Sequence, residues 1–300
     1  AINATAMADG ETLTTSGAFA ATITGLQADL TDTSTAAQDI TVASVATITL
    51  GLGTDVTGTD AVTATALTDG QVLTLTGAND ATVAFANGDL TATAYTGALA
   101  VTGTGTTGQF TTGTASSSIS STGATAIIAS ALADGQTLTT TGAGGLTITG
   151  LSADLASTST GTVAVTMEDD AGTVSATLSS TGSGGTTVGT GTFDSTDTLI
   201  LAGTDTIAVS VADTTNITTG AAAASVAVAD GFYTTAIATI DATAMADNLV
   251  LTTSGDGATV ITGLQADLTD TSTEAQNITV ASVATITLGL GTDETGTDAV

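Results

Sequence analysis

The chain is 300 residues long and sets 29 Asp and Glu against no Lys, Arg or His, a formal charge of −29. That balance argues against nucleic-acid binding, which needs cations facing phosphates, and against docking on anionic membranes, while the longest apolar stretch, Ala221 to Ala229, is too short to insert across a bilayer. With no His, Lys, Arg or Cys, a Ser or Thr nucleophile lacks an ordinary base, so the chain is read as no enzyme. Carboxylate pairs alone can cleave glycosides, but aromatic residues are only 2% and Trp is absent, which leaves no platform for a sugar.

Thr supplies 75 residues and Pro none, and mean hydropathy is +0.44. Disordered chains are poor in β-branched residues and rich in Pro and Lys, so disorder does not fit. Thr favours strands because its branched Cβ packs well on a pleated surface.

In chain order, a block from Thr5 to Gly17 carries Asp9 as its marker and is followed by Ile23 to Leu30. Ile40, Val42, Ala46, Ile48 and Leu50 then alternate with Thr, the period of a strand with one apolar face. Gly53 to Asp60 is a Gly-rich acidic turn holding Asp55 and Asp60. The first block returns at Thr65 to Gly77 and Ser130 to Gly142, with Val83 to Leu90 and Ile148 to Leu155 behind the copies. Leu146 to Ile148, Val163 to Met167, Val174 to Leu178 and Ile207 to Val211 alternate as strands. The acidic run Glu168, Asp169, Asp170 lies between them. A degenerate copy of the block falls near Asp197, starting at about 193. Ala221 to Val228 could form one short turn of helix, although Gly220 and its Val and Ser residues weaken that reading. The block returns once more from 243 to 255, followed by Ile261 to Leu268 and the turn Gly291 to Asp298, with Asp293 and Asp298.

The final segment is a near-copy of the first: residues 2–62 match 240–300 at 50 of 61 positions, a constant offset of 238. The weaker units start near 5, 65, 130, about 193 and 243, so residues 1–300 read as one continuous β-repeat region. Because it opens inside one repeat and closes inside the equivalent one, it is expected to be a fragment of a longer chain.

Tandem sandwiches need large inward side chains and about 100 residues per domain. Units near 60 residues, built from small residues, fit instead a β-solenoid, or parallel β-helix, with about 20 residues per rung and three rungs per unit. The expected fold is therefore all-β, an elongated stack of rungs. The absence of Pro agrees, since a stacked strand uses every N–H.

The sequence Asp-Ala-Thr-Ala-Met-Ala-Asp at 241–247, followed by Leu251 to Gly255 and Val260 to Leu268, resembles the β-strand repeats of very large secreted bacterial surface proteins. These include adhesins, S-layer-like proteins and RTX-associated repeat proteins. The resemblance implies secretion to the cell surface and self-association into fibres or a lattice. The glycine-aspartate nonapeptide of true RTX calcium repeats is absent, so that calcium site does not carry over.

Aspartates on Gly-rich turns can offer oxygens to Ca²⁺, which makes Asp55, Asp60, Asp293, Asp298, Glu168, Asp169 and Asp170 candidate metal ligands. The plainer reading of each is a solvated turn carboxylate. Thr-x-Thr pairs such as Thr22/Thr24 and Thr47/Thr49 resemble those of ice-binding solenoids, but their irregular spacing favours simple strand propensity. The expected function is a structural protein of an extracellular filament, sheath or stalk. The alternatives are the repeat region of an adhesin, with a glycan or surface ligand, or a calcium-dependent surface layer.

Overall fold

The computed structural model describes residues 1–54, 58–103, 105, 108–168, 174–211, 214–228, 237–281, 285–291 and 298–300. Every strand pairing among them is parallel, and no helix occurs. The chain is a β-solenoid, as expected, and the sandwich alternative fails because consecutive rungs lie directly on one another. It divides into two compact units, Ala1–Ile148 and Thr149–Val300.

In the first unit the strands alternate between two sheets, so each rung has two strands and two bends. One sheet runs from Ile2–Asn3 through Thr22–Leu26, Asp39–Val42, Asp60–Ala64, Ala81–Phe85, Leu99–Gly103 and Ser117–Ser121 to Thr137–Thr141. The other begins Thr12–Gly17, Asp29–Ser34, Thr47–Leu52, Val72–Gly77. Period-two alternation is obeyed: Ile48, Leu50 and Leu52 are buried, while Thr47, Thr49 and Gly51 face outward. The alternating run expected from Ile40 to Leu50 is two strands, Asp39–Val42 and Thr47–Leu52, in different sheets. The bend between them keeps the inward phase.

The strands stack in register, so inward side chains form ladders. Ile2, Ile23, Ile40, Val62, Val83, Val101 and Ile119 follow one another rung by rung. Ile48, Leu73, Leu90, Phe110 and Ile127 do so in the opposite sheet. Each buried Leu, Ile or Val contributes about 1.5–3 kcal/mol relative to exposure. Phe85 and Phe110 also point inward and pack at 5.7 Å between ring centroids, tilted by 59°. Glycines clear room for them. A Cβ on Gly88 would stand 3.1 Å from the Phe85 ring, and one on Gly103 3.4 Å from that of Phe110.

The second unit is built the same way. Ala176, Leu199, Ile217, Ile240, Ile261 and Ile278 make one ladder. Val163, Thr186, Ile207, Ala224, Leu251 and Leu268 make another. The short helical turn considered for Ala221–Val228 is instead the strand Ala224–Val228, with alternate residues buried. Its Val226 and Val228 continue the interior that an Ala-rich helix would have left unfilled.

The block found in the sequence contains a double β-turn. Met7 N donates to Ala4 O (3.1 Å) and Glu11 N to Ala8 O (3.2 Å). The same pair of bonds recurs from Ala64 and Thr68, Ala129 and Ala133, Thr190 and Asp194, and Ala242 and Ala246. Leu67, Leu132, Phe193 and Met245, each closing the first turn of its pair, plug the interior. In the degenerate copy Asp197 therefore stands in the place of Glu11, and Ser195 in that of Asp9.

Three rungs per unit is not a constant. Val72–Gly77 follows the bend from Ala64 and lies in the sheet of Thr12–Gly17, whereas Thr137–Thr141 follows the bend from Ala129 and pairs with Ser117–Ser121 in the other sheet. The second spacing thus spans three and a half rungs. Both bends of a rung join the same two kinds of sheet, so either side can house the block.

Candidate functional site

Of the acidic residues proposed from sequence, Asp55, Asp169, Asp170 and Asp293 lie outside the described residues. Glu168 is exposed, after the strand Val163–Met167. Asp60 and Asp298 are described, and neither is a solvated turn carboxylate. Asp60 is fully buried and Asp298 half-buried. Each accepts the backbone N–H of a glutamine 22 residues earlier: Gln38 N to Asp60 Oδ1 at 2.7 Å, Gln276 N to Asp298 Oδ1 at 2.8 Å. The residues that surround them were missed in the sequence.

The strand Asp29–Ser34 turns Leu30, Asp32 and Ser34 inward, so two polar side chains occupy positions where alternation demands apolar ones. Asp32 is 4% exposed. Its Oδ1 accepts from Thr15 Oγ1 (2.6 Å) on the neighbouring rung and from Ser34 N (3.0 Å). Its Oδ2 accepts from Ser34 Oγ (3.0 Å). Ser34 Oγ in turn accepts from Gln38 Nε2 (2.7 Å), and Gln38 Oε1 accepts from Ala21 N (3.1 Å). Through Gln38 N the network reaches Asp60, which the Asn79 side chain also hydrogen-bonds. Tyr95, buried one rung further on, donates its hydroxyl to Asn79 O.

Two carboxylates are thus buried close together in a chain that has no cationic side chain. Burial holds the Asp60 carboxyl above its ordinary range; hydrogen bonds from Gln38 and Asn79 oppose the shift and the charge of Asp32 adds to it. The Tyr95 phenol is raised too, first by burial and then by Asp60 and Asp80.

The second unit carries the same cluster in Thr253, Asp270, Ser272, Gln276 and Asp298. Thr253 Oγ1 donates to Asp270 Oδ1 at 2.7 Å, and Gln276 Nε2 to Ser272 Oγ at 2.6 Å. The signal for both clusters lay in the sequence: polar residues in the inward phase, Leu30-x-Asp32-x-Ser34, repeated exactly at Leu268-x-Asp270-x-Ser272.

A second set of aspartates ties rungs together at the strand starts. Asp29, Asp89, Asp154 and Asp267 accept the backbone N–H of Thr49, Gln109, Thr177 and Thr287, at 2.7 to 2.9 Å. These are the aspartates of the Asp-Leu step that ends each second block. Among the described residues no group of three or more acidic side chains is placed to hold a metal ion. On the outer face of the first unit, Thr82, Ala100, Ser118 and Thr139 line a shallow depression of about 360 Å³. No protein-family model, no curated protein and no solved structure matches the chain.

Proposed function

We propose that the chain is structural material: part of the repeat region of a secreted bacterial filament, sheath or stalk, with no catalytic step of its own. The observation that carries this reading is the repeated tie between rungs. Four aspartates in equivalent places each hold the next rung by a backbone N–H, so these side chains serve rung-to-rung cohesion. At these partly exposed strand starts each such bond contributes about 1 kcal/mol. Parallel in-register ladders add a cohesion that grows with the number of rungs. Small outward Thr, Ser, Ala and Gly leave the outer faces free for lateral association.

The depression on the outer face of the first unit favours a second reading, an adhesin repeat region that holds a surface ligand there. Negative-stain microscopy of the purified protein, with calcium and with chelator, separates these functions. Fibres in both conditions support the structural reading. Dispersed particles that adsorb to a glycan surface support the adhesin. Sheets that form only with calcium replace both with a surface-layer lattice.

A further inference from the structure

The buried cluster has no cationic side chain to meet its carboxylates in either copy. In the first, Asp60 is 0% exposed and its Oδ2 has no hydrogen-bond partner among the described residues. In the second, Asp270 and Gln276 are 4% and 1% exposed, and Asp270 Oδ2 and Gln276 Oε1 have none. The two bare groups of the second copy both hang on Ser272: its N–H donates to Asp270 Oδ1 (3.0 Å), and its Oγ accepts from Gln276 Nε2 (2.6 Å). The serine hydroxyl has one hydrogen and two calls on it. Ser34 Oγ lies 3.0 Å from both Asp32 Oδ2 and Ala36 O, whereas Ser272 Oγ reaches Glu274 O (3.2 Å), the equivalent carbonyl, and leaves Asp270 Oδ2 bare.

All three bare atoms are oxygen acceptors, and no Lys, Arg or His exists anywhere in the chain to meet them. Leaving a buried carboxylate oxygen unpaired is costly, so the missing charge must come from solvent. A single proton cancels one of the two carboxylates of a cluster, while a divalent ion cancels both. Carboxylate, amide and hydroxyl oxygens are the ligands of a hard cation, and a set with several neutral oxygens suits Ca²⁺ better than Mg²⁺.

We propose that the two clusters are cation sites, each taking one divalent, oxygen-seeking ion, with Asp60 Oδ2 as a ligand in the first and Asp270 Oδ2 and Gln276 Oε1 as ligands in the second. This places ions inside the solenoid, on Asp32, Gln38 and Asp60 and on their copies. It does not depend on whether the protein is a filament or an adhesin.

Tyr95 supplies a local reporter, because it hydrogen-bonds Asn79, which hydrogen-bonds Asp60. Metal-free protein in 150 mM NaCl is titrated with TbCl₃ under tyrosine excitation, and with CaCl₂ and MgCl₂ by calorimetry. The proposal expects sensitised Tb³⁺ emission that CaCl₂ displaces, and two Ca²⁺ per chain. Tyr95→Phe removes the emission that arises at the first cluster yet keeps both Ca²⁺. Asp60→Asn lowers that Tyr95-dependent emission at least tenfold with an unchanged circular dichroism spectrum. Asp270→Asn removes one Ca²⁺ and keeps the Tyr95-dependent emission, which decides the matter even if Asp60→Asn does not fold. Absence of both emission and CaCl₂ heat, with melting that responds to pH alone, overturns the proposal and assigns the missing charge to a proton.

Discussion

Residues 17–21 and 255–259 are equivalent under the 238-residue offset, yet they are housed differently. Gly255 ends its strand beneath a neighbouring rung: a Cβ there would stand 1.9 Å from Val228 O. The next two backbone N–H groups, of Asp256 and Gly257, both donate to that carbonyl. Gly17 has nothing within 4 Å of its Cβ position. Two residues on, the first copy carries Phe19, 88% exposed, where the second carries the buried Gly257. Ala21, half-buried, is likewise replaced by the buried Thr259. In the first copy no described residue that differs between the two is buried. The interior is what the two copies share.

The comparison is tested most severely at the glycines themselves. Both hold a positive φ, 114° at Gly17 and 104° at Gly255, so alanine is strained at either. Gly17→Ala should cost about 1–3 kcal/mol from backbone strain alone. Gly255→Ala adds a clash with backbone that cannot swing aside, and should exceed about 4 kcal/mol or unfold the local rungs. Thermal melting with hydrogen exchange on the flanking strands reads both. Equal losses would mean that rung contact is not what separates the copies.

A smaller effect should be the same in both. Thr15 and Thr253 each donate to a buried aspartate, at 2.6 and 2.7 Å. Thr→Val keeps the shape and removes the donor, at a cost of about 1–3 kcal/mol. Similar losses from Thr15→Val and Thr253→Val show that the cluster is indifferent to the covering rung; a loss confined to one copy shows that it is not. Smaller still are the ties at the strand starts. Asp29→Ala and Asp267→Ala each leave one backbone N–H, of Thr49 or Thr287, without its carboxylate. About 1 kcal/mol is expected from each, with faster exchange of that single amide as the specific sign.

The class of fold was legible because alternation is local: Ile48, Leu50 and Leu52 announce their inward phase without reference to anything distant. Register was not, because successive partners along the ladders lie at unequal separations, such as Ile23 to Ile40 and Ile40 to Val62. Bends absorb the difference, and their lengths carry no periodic signal. The half-rung slip at Ala129 was hidden for the same reason. Scarcity of aromatics reads as absence of anchors, yet Phe85, Tyr95 and Phe193 are among the largest fully buried side chains. Asp60 was singled out for its Gly-rich turn, a mark of exposure, and it is fully buried. Asp32, Ser34 and Gln38 were passed over because a polar residue in an inward phase looks like a break in the pattern rather than a site.

The smallest expected effect concerns how a bend manages without glycine. In the double turn from Ala4 the second turn holds Gly10 at φ +82°, and Gly70 and Gly135 repeat it at +77° and +70°. The copy from Thr190 has Thr196 in that place. There Asp194 accepts from Thr196 N (2.7 Å) and Thr196 Oγ1 (2.8 Å), closing the bend with a side chain instead. Those two bonds hold the Asp194 carboxyl below its ordinary range. A carboxyl that titrates lower in the fold than in the unfolded chain contributes fully above the unfolded value. The contribution fades as pH falls through the lowered one. Asp194 is solvent-exposed, so the change is confined to the bend and global melting should not register it. NMR should show the Thr196 amide shifting with a midpoint below that of a free peptide spanning 192–198, and Asp194→Ala should remove the transition. A midpoint equal to the peptide's would leave the bend to be held by Asp197, whose Oδ2 accepts from Asp194 N at 2.8 Å.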